Sequence, residues 1–221
     1  MWVLHKTGLL VLVLVLMVLG SNAAPEGCGL PERLTKPHLR KVLEVRWVLV
    51  QAFADYPAGV ELVSRLNSSL LEVDLKDDNE TVQFTERNTV SGMCLIFRGN
   101  LSAPDPETSN HTLLLLSSVQ EFDSKVSPYD DQGRADVYQS CPECLTMVYH
   151  GVFEGTPGRM LLIYRSEGKH LDVEQLKAAR SANAQTAECL KFNILSQFNY
   201  DGIAEFCLDK KEEEKEASDG R

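Results

Sequence analysis

Long apolar runs are scarce in this 221-residue chain. The one that stands out is Leu9 to Leu19. It follows a short basic segment, Met1-Trp2-Val3-Leu4-His5-Lys6, and precedes the small residues Gly20-Ser21-Asn22-Ala23-Ala24. That order reads as a secretory leader, cut after Ala23, so residues 1–23 are expected to be a signal peptide. The run is short of the ~20 apolar residues of a transmembrane helix, and no later run is longer. Basic residues are also outnumbered, 22 against 32 acidic, for a formal net charge of −10. A polyanion partner needs clustered Lys and Arg, so nucleic acid is excluded as a partner. The five histidines (His5, His38, His111, His150, His170) are scattered without metal spacing. There is no HExxH, no Ser/His/Asp set, no carboxylate pair, no Gly-rich phosphate loop and no internal repeat. No metal or other cofactor is expected.

Six cysteines lie beyond the leader: Cys28, Cys94, Cys141, Cys144, Cys189 and Cys207. An even number in a secreted chain reads as disulfides, and spacing alone leaves the pairing open. Cys141-Pro142-Glu143-Cys144 is the sharpest local motif. It reads as a local bridge pinning a turn; the rival is a redox dithiol, which favours a helix N-terminus that this strand–turn–strand context does not supply. Sequons stand at Asn67, Asn79, Asn100 and Asn110, where strand ends and turns are expected, so at least one glycan is expected.

Most of the chain alternates with period two. Strands are expected near 45–53, 69–76, 81–90, 93–101, 111–119, 134–140, 145–153 and 159–166, eight in all. A short helix is expected over Pro57 to Leu66, and a hairpin turn at Gly155-Thr156-Pro157-Gly158. Gln120 to Arg134 is the least legible stretch. Asp172 with Gln175 forms a capping box that opens one late helix ending at Cys189. Residues 190–208 carry Phe192, Ile194, Leu195, Phe198, Tyr200, Ile203 and Phe206 and should wrap the outside. Residues 209–221 are an acidic tail without the apolar area to order it.

Strands throughout and a single late helix imply an all-β, eight-stranded antiparallel barrel with the helix packed outside, as one domain over 24–208. Trp47 opens the first strand at the barrel floor. Parity places Trp47, Leu49, Gln51 and Phe53 inside. The same rule places Val82, Phe84, Glu86, Met147 and Tyr149 on the inner wall. First and last strands of a closed barrel are neighbours, so Arg165 is expected over the face of Trp47. An inward Glu86 would favour an amine or guanidinium.

Arg46-Trp47-Val48, Cys94 on an early strand, Tyr164, the helix ending in Glu188-Cys189-Leu190, and Asp209-Lys210-Lys211-Glu212-Glu213 after Cys207 resemble the lipocalin family. The resemblance is to its α1-acid glycoprotein (orosomucoid) branch, which is similar to the saxitoxin- and tetrodotoxin-binding proteins and to apolipoprotein M. It covers about 28–216. Val45 stands where the family's Gly-x-Trp has glycine, and the mid-chain Thr-Asp-Tyr turn is reduced to Ala135-Asp136-Val137-Tyr138. The resemblance implies bridges Cys28–Cys189 and Cys94–Cys207, leaving Cys141–Cys144 as an extra one. It implies a secreted monomeric carrier, not an enzyme, holding a small hydrophobic or amphipathic ligand in its cavity, or alternatively a cationic guanidinium toxin or amine. The rival from another class is a barrel isomerase using Cys94, or an oxidoreductase using Cys141 and Cys144.

Overall fold

Hydrogen bonds between the first and last long strands close the sheet into a barrel. The computed structural model describes residues 28–31, 33–34, 41–43, 45–102, 112–153 and 155–208. The expected leader, the acidic tail and Asn110 lie outside the described residues. The barrel strands are β1 (Trp47–Ala54), β2 (Leu66–Leu75), β3 (Thr81–Val90), β4 (Met93–Ser102) and β5 (Thr112–Phe122). After the four-residue β6 (Lys125–Pro128) come β7 (Arg134–Cys141), β8 (Cys144–Phe153) and β9 (Thr156–Ser166). The antiparallel order is β1-β2-β3-β4-β5-β7-β8-β9, and β9 returns to β1, with Trp47 opposite Ser166. Eight strands leave an interior that side chains nearly fill. The β8–β9 turn is tighter than the expected Gly155–Gly158: Thr156 and Pro157 already pair with Phe153 and Val152.

Two short strands have no sequence signal. β6 pairs back onto β5 and is wholly exposed. β10 (Gln197–Asn199) pairs with β1 at Gln51–Phe53, where β2 has already left; β2 meets β1 only at Trp47 and Val48. The register of β1 on β9 slips between Leu49 and Gln51, a β-bulge at Val50.

Helix α1 (Pro57–Arg65) follows β1, and its Pro57 sits at the start of the helix, where a missing N–H costs nothing. Helix α2 (Val173–Cys189) starts as the capping box requires, with the Gln175 N–H donating to Asp172 Oδ1 at 3.0 Å. Its Leu176, Ala184 and Ala187 pack on Val50, Phe53, Val148, Leu161 and Ile163, the outward side chains of the wall. Small residues on that face let the helix lie close to the sheet. None of the described helices is long and apolar enough to cross a membrane.

The bonds are Cys28–Cys189, Cys94–Cys207 and Cys141–Cys144, with Cα separations of 5.4, 5.6 and 4.9 Å. The first ties the lead-in to the end of α2, and the second ties the C-terminal wrap to the start of β4. Each long bridge contributes about 2–4 kcal/mol in a chain-entropy account. Cys94 is therefore not a thiol in this structure, and no described cysteine is free.

Candidate ligand cavity in the barrel

The lumen holds a cavity whose water-reachable core measures about 140 Å³. Strand turns alternate between the two ends of the barrel. One end carries the N-terminus of β1 and the β7–β8 turn. The other, the mouth, carries α1, the β3–β4 turn, the 123–133 segment and the β8–β9 turn. At the closed end the Trp47 indole N–H donates to the Val42 carbonyl at 2.9 Å, and the ring is 1% exposed. Trp47 is thus floor core, and Val42 borders the lumen in its place. Aliphatic side chains line the depth, among them Leu49, Leu71, Leu101, Leu113, Val137 and Leu145. Leu62, Val63 and Leu66 of α1 and its junction with β2 hang over the opposite end.

Among the described residues, two charged side chains border this lumen, and both are acids. Glu86 projects from the middle of β3, with Tyr164 and Asn88 within hydrogen-bonding reach of its carboxyl. It opens onto the cavity but is walled off from bulk water, and this burial raises its pKa above the ordinary carboxylate value. Asp131 lies in the 123–133 segment at the mouth and is bridged through its backbone to Phe153. Its Oδ2 accepts the Tyr149 hydroxyl at 2.5 Å. Burial raises the Asp131 pKa as well, against the Tyr149 and Val152 hydrogen bonds that favour its charge. Desolvation pushes the phenols of Tyr56, Tyr149 and Tyr164 up, so all three stay neutral hydroxyls. Outside the lumen the pattern reverses. Carboxylates there meet guanidinium groups: Asp55 with Arg159 at 2.6 Å, Glu167 with Arg46 at 2.7 Å, Glu121 with Arg98 at 2.5 Å. Neither lumen acid has an ion-pair partner among the described residues. No described cluster of His, Cys, Asp and Glu could hold a metal ion.

The chain is 40% identical over 211 residues to saxitoxin and tetrodotoxin-binding protein 2 of Takifugu pardalis, covering 92% of this chain and 51% of the relative. It is 39% identical to saxitoxin and tetrodotoxin-binding protein 1 of the same fish, over the same shares. Its barrel superimposes on the solution structure of lipocalin 12 from rat epididymis with a TM-score of 0.56, at 14% identity, over 87% of this chain and 98% of that one. Siderocalin Q83 gives 0.54 at 9% identity, over 80% and 99%. The fold is that of the lipocalins. No protein-family model matches it, and it spans about half the length of the curated relatives it matches.

In this barrel, parity along β3 and β8 places Phe84, Glu86, Met147 and Tyr149 on the lumen wall, and Leu49 joins them. Besides Trp47, four expectations need correction. Gln51 and Phe53 do not face the lumen, because the Val50 bulge turns β1 over; Ala52 takes the inward position. Gln51 instead accepts the Asn183 amide of α2 at 2.9 Å and donates to Gln197 of β10 at 3.0 Å. Phe53, fully buried, packs in the outer layer under α2. Val82 has the right parity but is buried in the barrel core and does not border the cavity. Arg165 does not cover Trp47. It faces outward from β9, with Nη1 against the sulfurs of Cys144 and, at 3.5 Å, Cys141. Its neighbour Tyr164 is the side chain that points in.

Several wall residues were not among those expected. Asn88 and Tyr164 follow from the parity of strands already recognised. Tyr56, Tyr129 and Asp131 lie in turns, where no periodicity aims a side chain. Of the sequons, Asn79 sits exposed at the β2–β3 tip with φ 56°, and Asn67 is exposed at the start of β2. Asn100 lies mid-strand in β4, its Nδ2 donating to Ser117 Oγ at 3.3 Å.

Proposed function

We propose that this protein reversibly binds and carries, in its barrel lumen, a small amphipathic molecule bearing an organic cation. The observation that carries the reading is the pair of lumen acids, Glu86 and Asp131, set in an apolar wall without a counter-ion among the described residues. Burial of an apolar body would supply most of the affinity, at roughly 25 cal/mol per Å². The acids would supply selection by charge, since an anion entering that wall meets like charge in low dielectric. A guanidinium toxin of the kind named for the relatives is one member of this class. Secretion, glycosylation and a monomeric state go with the reading, supported by the leader-like N-terminus, the three disulfides and the exposed sequons.

Calorimetry with octylguanidinium, octanol and octanoate tests it. The expected order is guanidinium tightest, alcohol weaker by about tenfold, carboxylate weakest. Equal affinities for the three would leave a neutral apolar ligand as the cargo and remove the cation from the proposal.

A further inference from the structure

The barrel mouth is furnished with rings. Tyr56 stacks on Phe153, with centroids 4.3 Å apart and planes 3° from parallel. Tyr149 meets Phe153 at 6.0 Å in a tilted contact. Tyr129, two residues before Asp131, packs against Phe97 at 4.9 Å. All five rings border the lumen, and so does Asp131.

Four glycines make room for this group. A β-carbon at Gly59 or at Gly158 would collide with the Tyr56 ring. One at Gly133 would collide with the Tyr149 hydroxyl, and one at Gly151 would stand 2.7 Å from both Asp131 Oδ1 and the Phe153 ring. Real β-carbons do not come so close, so each ring and the carboxyl occupy space that only glycine leaves. The four come from α1, the 123–133 segment, β8 and β9, and they converge on one spot. That convergence distinguishes the mouth from an incidental aromatic contact.

An aromatic wall around a carboxyl is a host for a cation. Ring faces attract positive charge, best where water is excluded, and a carboxylate that already holds one hydroxyl donor has lone pairs left for N–H groups. Glu86, by contrast, lies in the body of the barrel beside Tyr164, Asn88 and Ser69, with Leu71 and Phe97 opposite it on the neighbouring strands. An apolar tail fits that depth, whereas a cation taken there would shed all of its water. Resting on the reading that the lumen takes an amphipathic cation, we propose that the mouth box of Asp131, Tyr149, Tyr56 and Phe153 is the subsite for an N–H-bearing cation, guanidinium or primary ammonium. The apolar body then points down toward Leu145, and Glu86 adds to the charge selection from the depth without contacting the cation, so its loss costs less than that of Asp131.

The test compares Asp131→Asn with Glu86→Gln in full-length protein, using octylguanidinium and octanol. Asp131→Asn is expected to weaken octylguanidinium by about tenfold or more while octanol affinity stays within about twofold, which also reports an intact lumen. Glu86→Gln is expected to change octylguanidinium by less than about threefold. A loss that follows Glu86→Gln instead, or falls equally on both variants, overturns the mouth assignment. Orientation gives a readout that does not depend on the variants' stability. In wild-type protein, nuclear Overhauser contacts are expected from the ligand's terminal methyl to Leu145 and from its first methylene to Tyr149. The reverse pattern also overturns the assignment. If wild-type protein fails to prefer octylguanidinium over octanol at all, the reading of the lumen as a cation carrier falls, which is a different failure.

Discussion

β3 and β1 are both amphipathic wall strands, yet only one keeps a single parity along its length. β3 keeps the same two neighbours along its length: Thr81 to Val90 pair with β4 and Val82 to Val90 with β2, whose bulge at Asn67 skips a residue of β2 and none of β3, so Phe84, Glu86 and Asn88 all face the lumen. β1 changes neighbour halfway. β2 holds Trp47 and Val48, β10 holds Gln51 to Phe53, and the bulge at Val50 lies between. Alternation in sequence is therefore a property of a strand with constant partners. Where the partner changes, one extra residue inverts everything after it.

The sharpest way to expose that difference is to shorten one phenylalanine on each strand. Phe53 is fully buried under α2, away from the ligand. Phe53→Ala is expected to cost about 3–5 kcal/mol of stability with little change in ligand affinity. Phe84 already has one face on empty lumen. Phe84→Ala is expected to cost no more than about half as much stability while weakening any lumen ligand. Urea melts paired with binding isotherms check both. A Phe53 variant that loses affinity at normal stability would restore the uninverted parity of β1.

Gln51 gives the next largest effect. It bridges α2 and β10 through Asn183 and Gln197 from a position 2% exposed. Gln51→Ala leaves both partners short of a hydrogen bond in a buried place, at an expected cost of about 1–3 kcal/mol. Faster amide exchange in Gln197–Asn199 should accompany the loss. A Gln51 variant with unchanged stability but altered ligand affinity would put that side chain back in the lumen.

The same contrast explains what was legible. The barrel strands and both helices follow from alternation and capping to within a few residues, because the residues that carry those signals are also the ones that pack. β6 and β10 are four and three residues long and are held by neighbours instead of by their own pattern. Part of the site was readable for the same reason: Phe84, Glu86, Met147 and Tyr149 lie on strands with steady partners. Asp131 was not, because Tyr129-Asp130-Asp131 reaches the lumen through a backbone bridge to Phe153, which no local periodicity records. Arg165 was misplaced by one residue of parity, and Tyr164 occupies the inward position. The two long bridges came through family resemblance; nothing in the cysteine spacing distinguishes them.

Glu86 on the steady strand makes a pH-dependent prediction. Its folded pKa is raised by burial above the ordinary value of 4.5, so the folded state holds its proton more tightly than the unfolded chain. Stability then falls as pH rises from that ordinary value through the raised one, and the loss is complete above it. Glu86→Gln cannot ionise and should lack this fall, so it is expected to exceed wild type in melting temperature at neutral pH and to match it in acid. Thermal melts across that range check it; a constant offset at every pH would mean that the carboxyl is not perturbed in the folded state.

The smallest effect concerns the flanks of the same strand. Asn79, at the tip before β3, is exposed in a turn, and its Nδ2 donates within that turn to the Asp77 carbonyl at 3.3 Å, a local bond that a glycan can replace without parting strands. Asn100 faces Gln83 of β3 within the sheet, and its Nδ2, the atom a glycan would occupy, donates to Ser117 across the next strand. Peptide mapping of protein from a secreting eukaryotic host is expected to find Asn79 occupied and Asn100 bare. Asn79→Gln should shift stability by no more than about 0.5 kcal/mol, because that side chain packs on no core residue. A glycan on Asn100 would require β4 and β5 to part there before folding completes, so the modification would report the order of assembly and not the exposure of the finished barrel.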